Sequence, residues 1–392
     1  MGISEPNPFY TWSETGGVLS SRLFNIFIDD INLIFDESCD PVKLLNSPLS
    51  HMLYADDLVL MSRSKAGLQE CLNRLEKYCQ TWQLELNEKK SQVIIFNPAG
   101  RLINDNFFYS KTKLDIVKSY CYLGVDFSCS GSFTRARTNL YEKAEKTMFP
   151  LKGLIKQFQL PCGHSLELFH SLIQSIALYN SENLAHLTTH QITSIENKKT
   201  NLTSLMLECS IGLTQQKFLK YILGLKRTCS NLATLGELGE FPLCLNAFVS
   251  MLTFWHRSAT QMQENTLVYQ ALHYISNNDS NQSLWFATVK CLLTEMGMQN
   301  LLANPFLLTP YKFKEQCKSK MKNMFRQQWS AKIMSQGVGC KLRFYKLFKN
   351  EFTREPYLDF INNYHLRKII TKFPCSDHKL EIKISTHKMG PN

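Results

Sequence analysis

Short apolar runs separated by polar punctuation fill the first third of the chain and predict strands and amphipathic helices in alternation. Met52-Leu53 and Leu58-Val59-Leu60-Met61 are two such runs, with Tyr54-Ala55-Asp56-Asp57 between them. A strand, a tight turn and a second strand is the simplest local structure for this pattern, with both acids exposed at the bend. Upstream, apolar residues at 23, 24, 27, 28, 31 and 34 follow helical spacing, and Ser20 or Ser21 can cap the N-terminus. Gly16 and Gly17 precede that cap, where the lack of side chains lets backbone approach a ligand or another strand. Asp29-Asp30 falls on the same predicted helix; neighbours there point about 100° apart, so the pair reads as a solvated edge. Ser64 caps a second helix whose buried stripe is Leu68, Cys71, Leu72, Leu75, Tyr78, Cys79 and Trp82. Residues 92–96 then read as a strand, and Tyr122-Leu123-Gly124-Val125 as another with a glycine bend.

Beyond residue 130 helical spacing takes over, as at Leu151, Leu154, Ile155 and Phe158. The polar run from Ser276 to Ser283 is the clearest linker. Boundaries are expected near 130 and 275, giving a mixed segment 1–130, a helical segment 131–275 and a basic, mainly helical segment 276–392. The fold class is α+β: a short antiparallel sheet with helices, followed by a mostly α-helical region.

At 392 residues, 44% hydrophobic and 20% charged, the chain can bury more than one core and is not broadly disordered. No apolar run approaches the ~20 residues of a membrane span, and Met1-Gly2-Ile3-Ser4-Glu5-Pro6 is no signal peptide. Thirteen scattered cysteines with no Cys-x-x-Cys pair point to reduced thiols, hence to an intracellular protein of nucleus or cytoplasm. Cys375, His378 and His387 make a poor zinc signal, and no zinc site is assigned. The formal charge of +11 suits a polyanionic partner. From Tyr311 to Lys372 fifteen Lys or Arg face four Asp or Glu, interleaved with Phe313, Phe325, Trp329, Phe344, Tyr345 and Phe348. Two readings stay open there: phosphate contacts with base stacking, or a helical domain with a wet basic face and an aromatic core.

The acidic doublet carries the chemistry. Two like charges at a hairpin tip repel unless a cation sits between them. Paired carboxylates are what divalent-metal phosphoryl or nucleotidyl transfer requires, as oxygen ligands for Mg²⁺ beside a polyphosphate. Alone, such a doublet is as readily a solvated turn.

The flanks narrow the choice. The Gly16-Gly17 turn with its helix, Tyr54-Ala55-Asp56-Asp57, Leu86-Asn87 followed by Lys90-Ser91, and Tyr122-Leu123-Gly124 occur in an order and spacing that resembles the reverse transcriptases of non-LTR (LINE-type) retrotransposons. The resemblance spans residues 16–130 and extends loosely to the C-terminus. It implies an RNA-directed DNA polymerase acting on an RNA template and a DNA primer. Asp56 would coordinate Mg²⁺, with Asp57 supporting it. Lys90 would sit near the departing pyrophosphate, although a lysine at such a turn is also commonly just solvated. Tyr54 and Ala55 would lie beside the primer end, Ala55 being small so as not to crowd it, and Gly16 and Gly17 would face template and nucleotide.

The chain departs from that pattern in one respect. The family places a third carboxylate on a strand some tens of residues before the glycine turn; here Glu5 and Glu14 are the sole acids before Gly16, and neither has a strand context. The expectation is a polymerase truncated at its N-terminus, lacking fingers and inactive alone. Two other readings are a catalytically dead nucleic-acid-binding protein and a helical interaction module.

Overall fold

The computed structural model describes residues 3–4, 20–45, 47–277, 283–335, 342, 345–361 and 363–377. Gly16, Gly17, Glu5, Glu14, Lys341, Arg343, Phe344, His378 and His387 lie outside them. The chain forms two compact units, 1–136 and 137–392.

The first unit is built on two-stranded ladders around one long helix. His51–Tyr54 pairs antiparallel with Asp57–Leu60, and Ser119–Tyr122 with Val125–Ser128. Gln92–Val93 pairs with Asp115–Ile116, and this ladder is parallel. The strand expected over 92–96 is thus only two residues long. The helix Lys65–Trp82 begins as its sequence predicts, with Ser64 Oγ accepting from the Gly67 amide at 3.2 Å. Its stripe Cys71, Leu72, Leu75, Tyr78 and Cys79 is buried, and all but Cys71 join Ile28, Ile31, Leu58, Val93, Phe107 and Leu114 in one core. Trp82 does not belong to that core. It is 40% exposed at the last turn and meets the edge of Phe27 at 5.4 Å.

The upstream helix is shorter than predicted. It spans Ser20–Phe27 and gives way to a 3₁₀ segment, Asp29–Leu33. Tightening to three residues per turn aligns Ile28 with Ile31 and turns both inward, leaving Leu23 and Phe27 partly in solvent. The same change corrects the reading of Asp30, which accepts the Tyr78 hydroxyl at 2.5 Å instead of lying on a solvated edge. Asp29 is exposed.

The second unit is helical. Its core runs without interruption from Ala144 to Cys375, on both sides of the 276–283 stretch. Leu243–Thr260, buried along most of its length, stacks His256 on Phe313 at 4.2 Å. Phe313 opens the buried stripe of the helix Pro310–Met334, continued every fourth residue by Cys317, Met321, Phe325, Trp329 and Ile333. Trp329 donates its indole N–H to the Leu232 carbonyl at 2.9 Å. With Phe313, Phe325, Trp329 and Tyr345 all buried, these aromatics of the basic segment are core residues, and stacking on unpaired bases is not available to them. On Thr134–Phe158 the predicted stripe holds at Leu151 and Ile155 but not at the exposed Leu154 and Phe158. Among the described residues no single helix is long and apolar enough to cross a membrane. Asn231–Leu238 and Leu243–Thr260 together pass that test but are bent by 77°.

Candidate active site

The acidic doublet sits at the tip of a tight hairpin. Register pairs Tyr54 with Asp57 and Leu53 with Leu58, so Ala55 and Asp56 form a two-residue turn. Ala55 takes φ 52°, in the left-handed region that costs an L-residue roughly 1–2 kcal/mol. Alternation along the second strand buries Leu58 completely and leaves its neighbour Asp57 half-exposed. Leu58 is therefore the anchor that fixes where the acids emerge. Asp56 is exposed, and so is Tyr54 at 63%. At the other end of the hairpin, His51 Nε2 lies 2.7 Å from Asn32 Oδ1, and its ring is 4.9 Å from that of Phe35.

A second hairpin carries two tyrosines that sense the first. Ser119–Tyr122 and Val125–Ser128 are joined by Leu123 and Gly124, at φ 47° and 76°, the two-positive turn that matches strand twist. Burial, followed by the charge of Asp57, pushes the phenols of Tyr120 and Tyr122 above their ordinary range. Asp57 thus lies close enough to both rings for its charge to disfavour a tyrosinate. Tyr120 also donates its hydroxyl to the Lys90 carbonyl at 3.4 Å. Lys90 itself is exposed, in a turn held by its own amide to the Asn87 carbonyl at 3.1 Å and by the Ser91 hydroxyl to the same carbonyl at 2.9 Å.

Asp56, Asp57, Tyr54, Ala55 and the Lys90 turn are thus placed in one unit, with the Lys90 main chain hydrogen-bonded to Tyr120 and the charge of Asp57 acting on the same ring. Sequence reasoning misses Tyr120. Its signal is present in the alternation Ser119-Tyr120-Cys121-Tyr122, which sends both tyrosines to one face. Among the described residues no group of three His, Cys, Asp or Glu is placed to hold a metal ion, so no third acid completes such a site with Asp56 and Asp57.

Residues 3–127 match the family described as reverse transcriptase (RNA-dependent DNA polymerase). The match takes in the first helix, the acidic hairpin, the Lys90 turn and the second hairpin as far as Phe127. The chain is similar to reverse transcriptases over this segment. Over 182 residues it is 22% identical to the RNA-directed DNA polymerase from mobile element jockey of Drosophila melanogaster. That alignment takes in 42% of this chain and 18% of the relative's length. The matched residues include the bend at Ala55-Asp56.

Proposed function

We propose that this chain is part of an RNA-directed DNA polymerase of a non-LTR retroelement, with RNA as template and DNA as primer. The observation that carries the reading is the carboxylate pair on a hairpin tip, with Asp57 near enough to influence Tyr122 and the pair inside the residues matched to the reverse transcriptase family.

Asp56 and Asp57 are the groups that would hold a divalent cation. Mg²⁺ is the expected ion, because it is characteristically bound by one or two carboxylates, with water and substrate phosphates completing its shell. The doublet fits this: both acids emerge at the tip and neither has a salt-bridge partner among the described residues. Bound there, the ion supplies charge neutralisation to a polyphosphate. The chain's own residues do the rest. Tyr54 offers an exposed ring beside the tip, and Ala55 leaves the space a primer end needs. Lys90 contributes a cation for departing pyrophosphate, and Gly16-Gly17 allows close backbone approach to the nucleotide.

The chain as it stands is proposed to be inactive by itself. A two-metal displacement clamps both the attacking and the leaving oxygen, and the described residues bring only two carboxylates to the hairpin.

Two measurements test the reading. Mg²⁺ titration followed by calorimetry is expected to show binding that the double substitution Asp56→Asn, Asp57→Asn abolishes; unchanged binding would refute the metal assignment. Primer extension on an RNA template with Mg²⁺ or Mn²⁺ is expected to give no product. Extension that disappears with Asp56→Asn would overturn the inactivity alone. Extension that survives it would overturn the site.

A further inference from the structure

Three helices of the second unit bring cations together without acids to match them. Lys152 and Lys156 lie on Thr134–Phe158, Tyr221 on Ser210–Leu223 with Arg227 just beyond, and Arg367, Lys368 and Lys372 on Tyr364–Lys372. The Lys152 ammonium is 5.3 Å from the centre of the Tyr221 ring, and that of Lys368 is 5.2 Å from the same ring and 3.9 Å from the Tyr364 ring. The stem of Lys368 packs on Gly224, where an added Cβ would meet it at 2.6 Å. This lysine is seated in the structure and does not trail in solvent.

Each cation raises the electrostatic cost of the others. Burial first, then Arg367, with smaller influences from Lys372 and Lys156, pulls the Lys368 ammonium down to about 8, opposed by the Cys162 thiol. Burial, Arg227 and Lys217 lower Lys152, opposed by Glu145. The nearby acids are already engaged. Glu145 takes Lys217 at 2.5 Å and Thr214 at 3.3 Å, and Asp377 takes Lys226 at 3.3 Å and its amide at 2.8 Å. Arg367, 2% exposed, donates to the carbonyls of Ile361 and Leu160, and its Nε has no partner among the described residues. None of Lys152, Lys156, Arg227, Lys368 or Lys372 forms an ion pair with a described residue.

Like charges gathered from separate elements and left without counterions favour an anion that can meet several of them at once. We propose that the face made by Lys152, Lys156, Tyr221, Arg227, Lys368 and Lys372 binds the phosphate backbone of a nucleic-acid strand. The choice of nucleic acid over other polyanions rests on the polymerase reading; the presence of an anion site does not. An anionic membrane is the rival occupant, since Leu366, Ile369 and Phe373 are exposed on or beside the last helix. Charge spread over three elements favours a strand that tracks from one to the next.

Fluorescence anisotropy with a labelled single-stranded RNA oligonucleotide, on the full chain at several salt concentrations, tests this. The triple variant Lys152→Gln, Lys156→Gln, Lys372→Gln is expected to bind about tenfold more weakly, with the log–log salt slope shallower by about 2, near 0.7 for each phosphate that is no longer neutralised. A control removing equal charge from the helix Pro310–Met334, Lys312→Gln, Lys314→Gln, Lys318→Gln, is expected to weaken binding less than about threefold. Equal weakening in both triples, absence of RNA binding by the wild type, or co-sedimentation with phosphatidylserine vesicles in place of RNA binding would overturn the proposal. Should the triple variant fail to fold, Arg227→Gln in its exposed loop is read in the same way. Primer extension plays no part in these readouts, so a failed polymerase assignment and a failed binding site are told apart.

Discussion

Tyr120 donates its hydroxyl to the main-chain oxygen of Lys90 at 3.4 Å while burial, and after it the charge of Asp57, holds its phenol above the ordinary range. Tyr120 thus holds the Lys90 turn while sensing the charge of Asp57, two segments distant from it in sequence. The acidic hairpin is a two-stranded ladder, so interactions of this kind and the buried Leu58 fix its position.

That arrangement gives a spectroscopic readout. Asp57 contributes to the raised phenols of Tyr120 and Tyr122, second to burial. Removing the charge with Asp57→Asn takes away one of the influences that disfavour tyrosinate, so both phenols should titrate at lower pH. Saturating Mg²⁺ on the wild type should move them the same way, because a cation on Asp57 offsets its field. Ultraviolet difference titration measures both shifts. No change with Asp57→Asn would separate the aspartate from these rings.

The turn offers a stability test. Ala55 sits at φ 52°, where glycine meets no steric cost. Ala55→Gly should stabilise the hairpin by about 1 kcal/mol, the left-handed penalty less the added unfolded-state entropy of glycine. Ala55→Val should destabilise it, since a branched side chain fits this region poorly. Denaturant midpoints of the three chains order them; a valine variant as stable as wild type would contradict the turn geometry.

Much of this architecture is legible in the chain. Alternation and the apolar runs locate the acidic hairpin, and Ser64 locates the start of the helix that packs behind it. The failures share a cause. Residues 23–34 keep helical spacing and so predict a helix through Ile34, but periodicity cannot show where the turn tightens; the helix ends at Phe27, which stays partly in solvent while Ile28 and Ile31 are buried. Trp82 completes a stripe by spacing alone and lies partly in solvent at the helix end. The open choice at Phe313, Phe325 and Trp329 needs the partner surface of Leu243–Thr260, which is remote in sequence. Clusters such as Lys152 with Lys368 are invisible to any local pattern for the same reason.

A pH dependence follows from His170, whose hydrogen bond to Glu240 at 3.4 Å is the largest cause raising its imidazole above the ordinary value of 6.5; Gln174 assists and burial opposes. A raised folded-state pKa means the protonated ring is favoured in the native protein. Its stabilising contribution is complete below about 6.5, where the unfolded histidine is also charged, and is lost as pH rises through the higher folded value. Glu240→Gln should flatten that part of the stability profile. Denaturant midpoints measured across this window for wild type and variant check it; identical profiles would remove the pair as a contributor.

Close packing in the helical unit predicts a large loss at one glycine. Gly236 faces Trp329 and Tyr345, and a Cβ added there would meet the indole at 2.7 Å and the Tyr345 hydroxyl at 2.8 Å. Both rings are buried and hydrogen-bonded, Trp329 to Leu232 and Tyr345 to Ala233, so neither can retreat without giving up a bond. Gly236→Ala should therefore cost about 1–3 kcal/mol despite the better helix propensity of alanine. Tyr345→Phe removes one of the two obstructing atoms at the expense of a hydrogen bond worth about 1 kcal/mol. In the double variant part of the alanine penalty should be recovered, giving a coupling of about 0.5 kcal/mol or more. A double-mutant cycle by urea unfolding measures it. Strict additivity would mean that the indole alone resists the methyl group and that the hydroxyl yields freely.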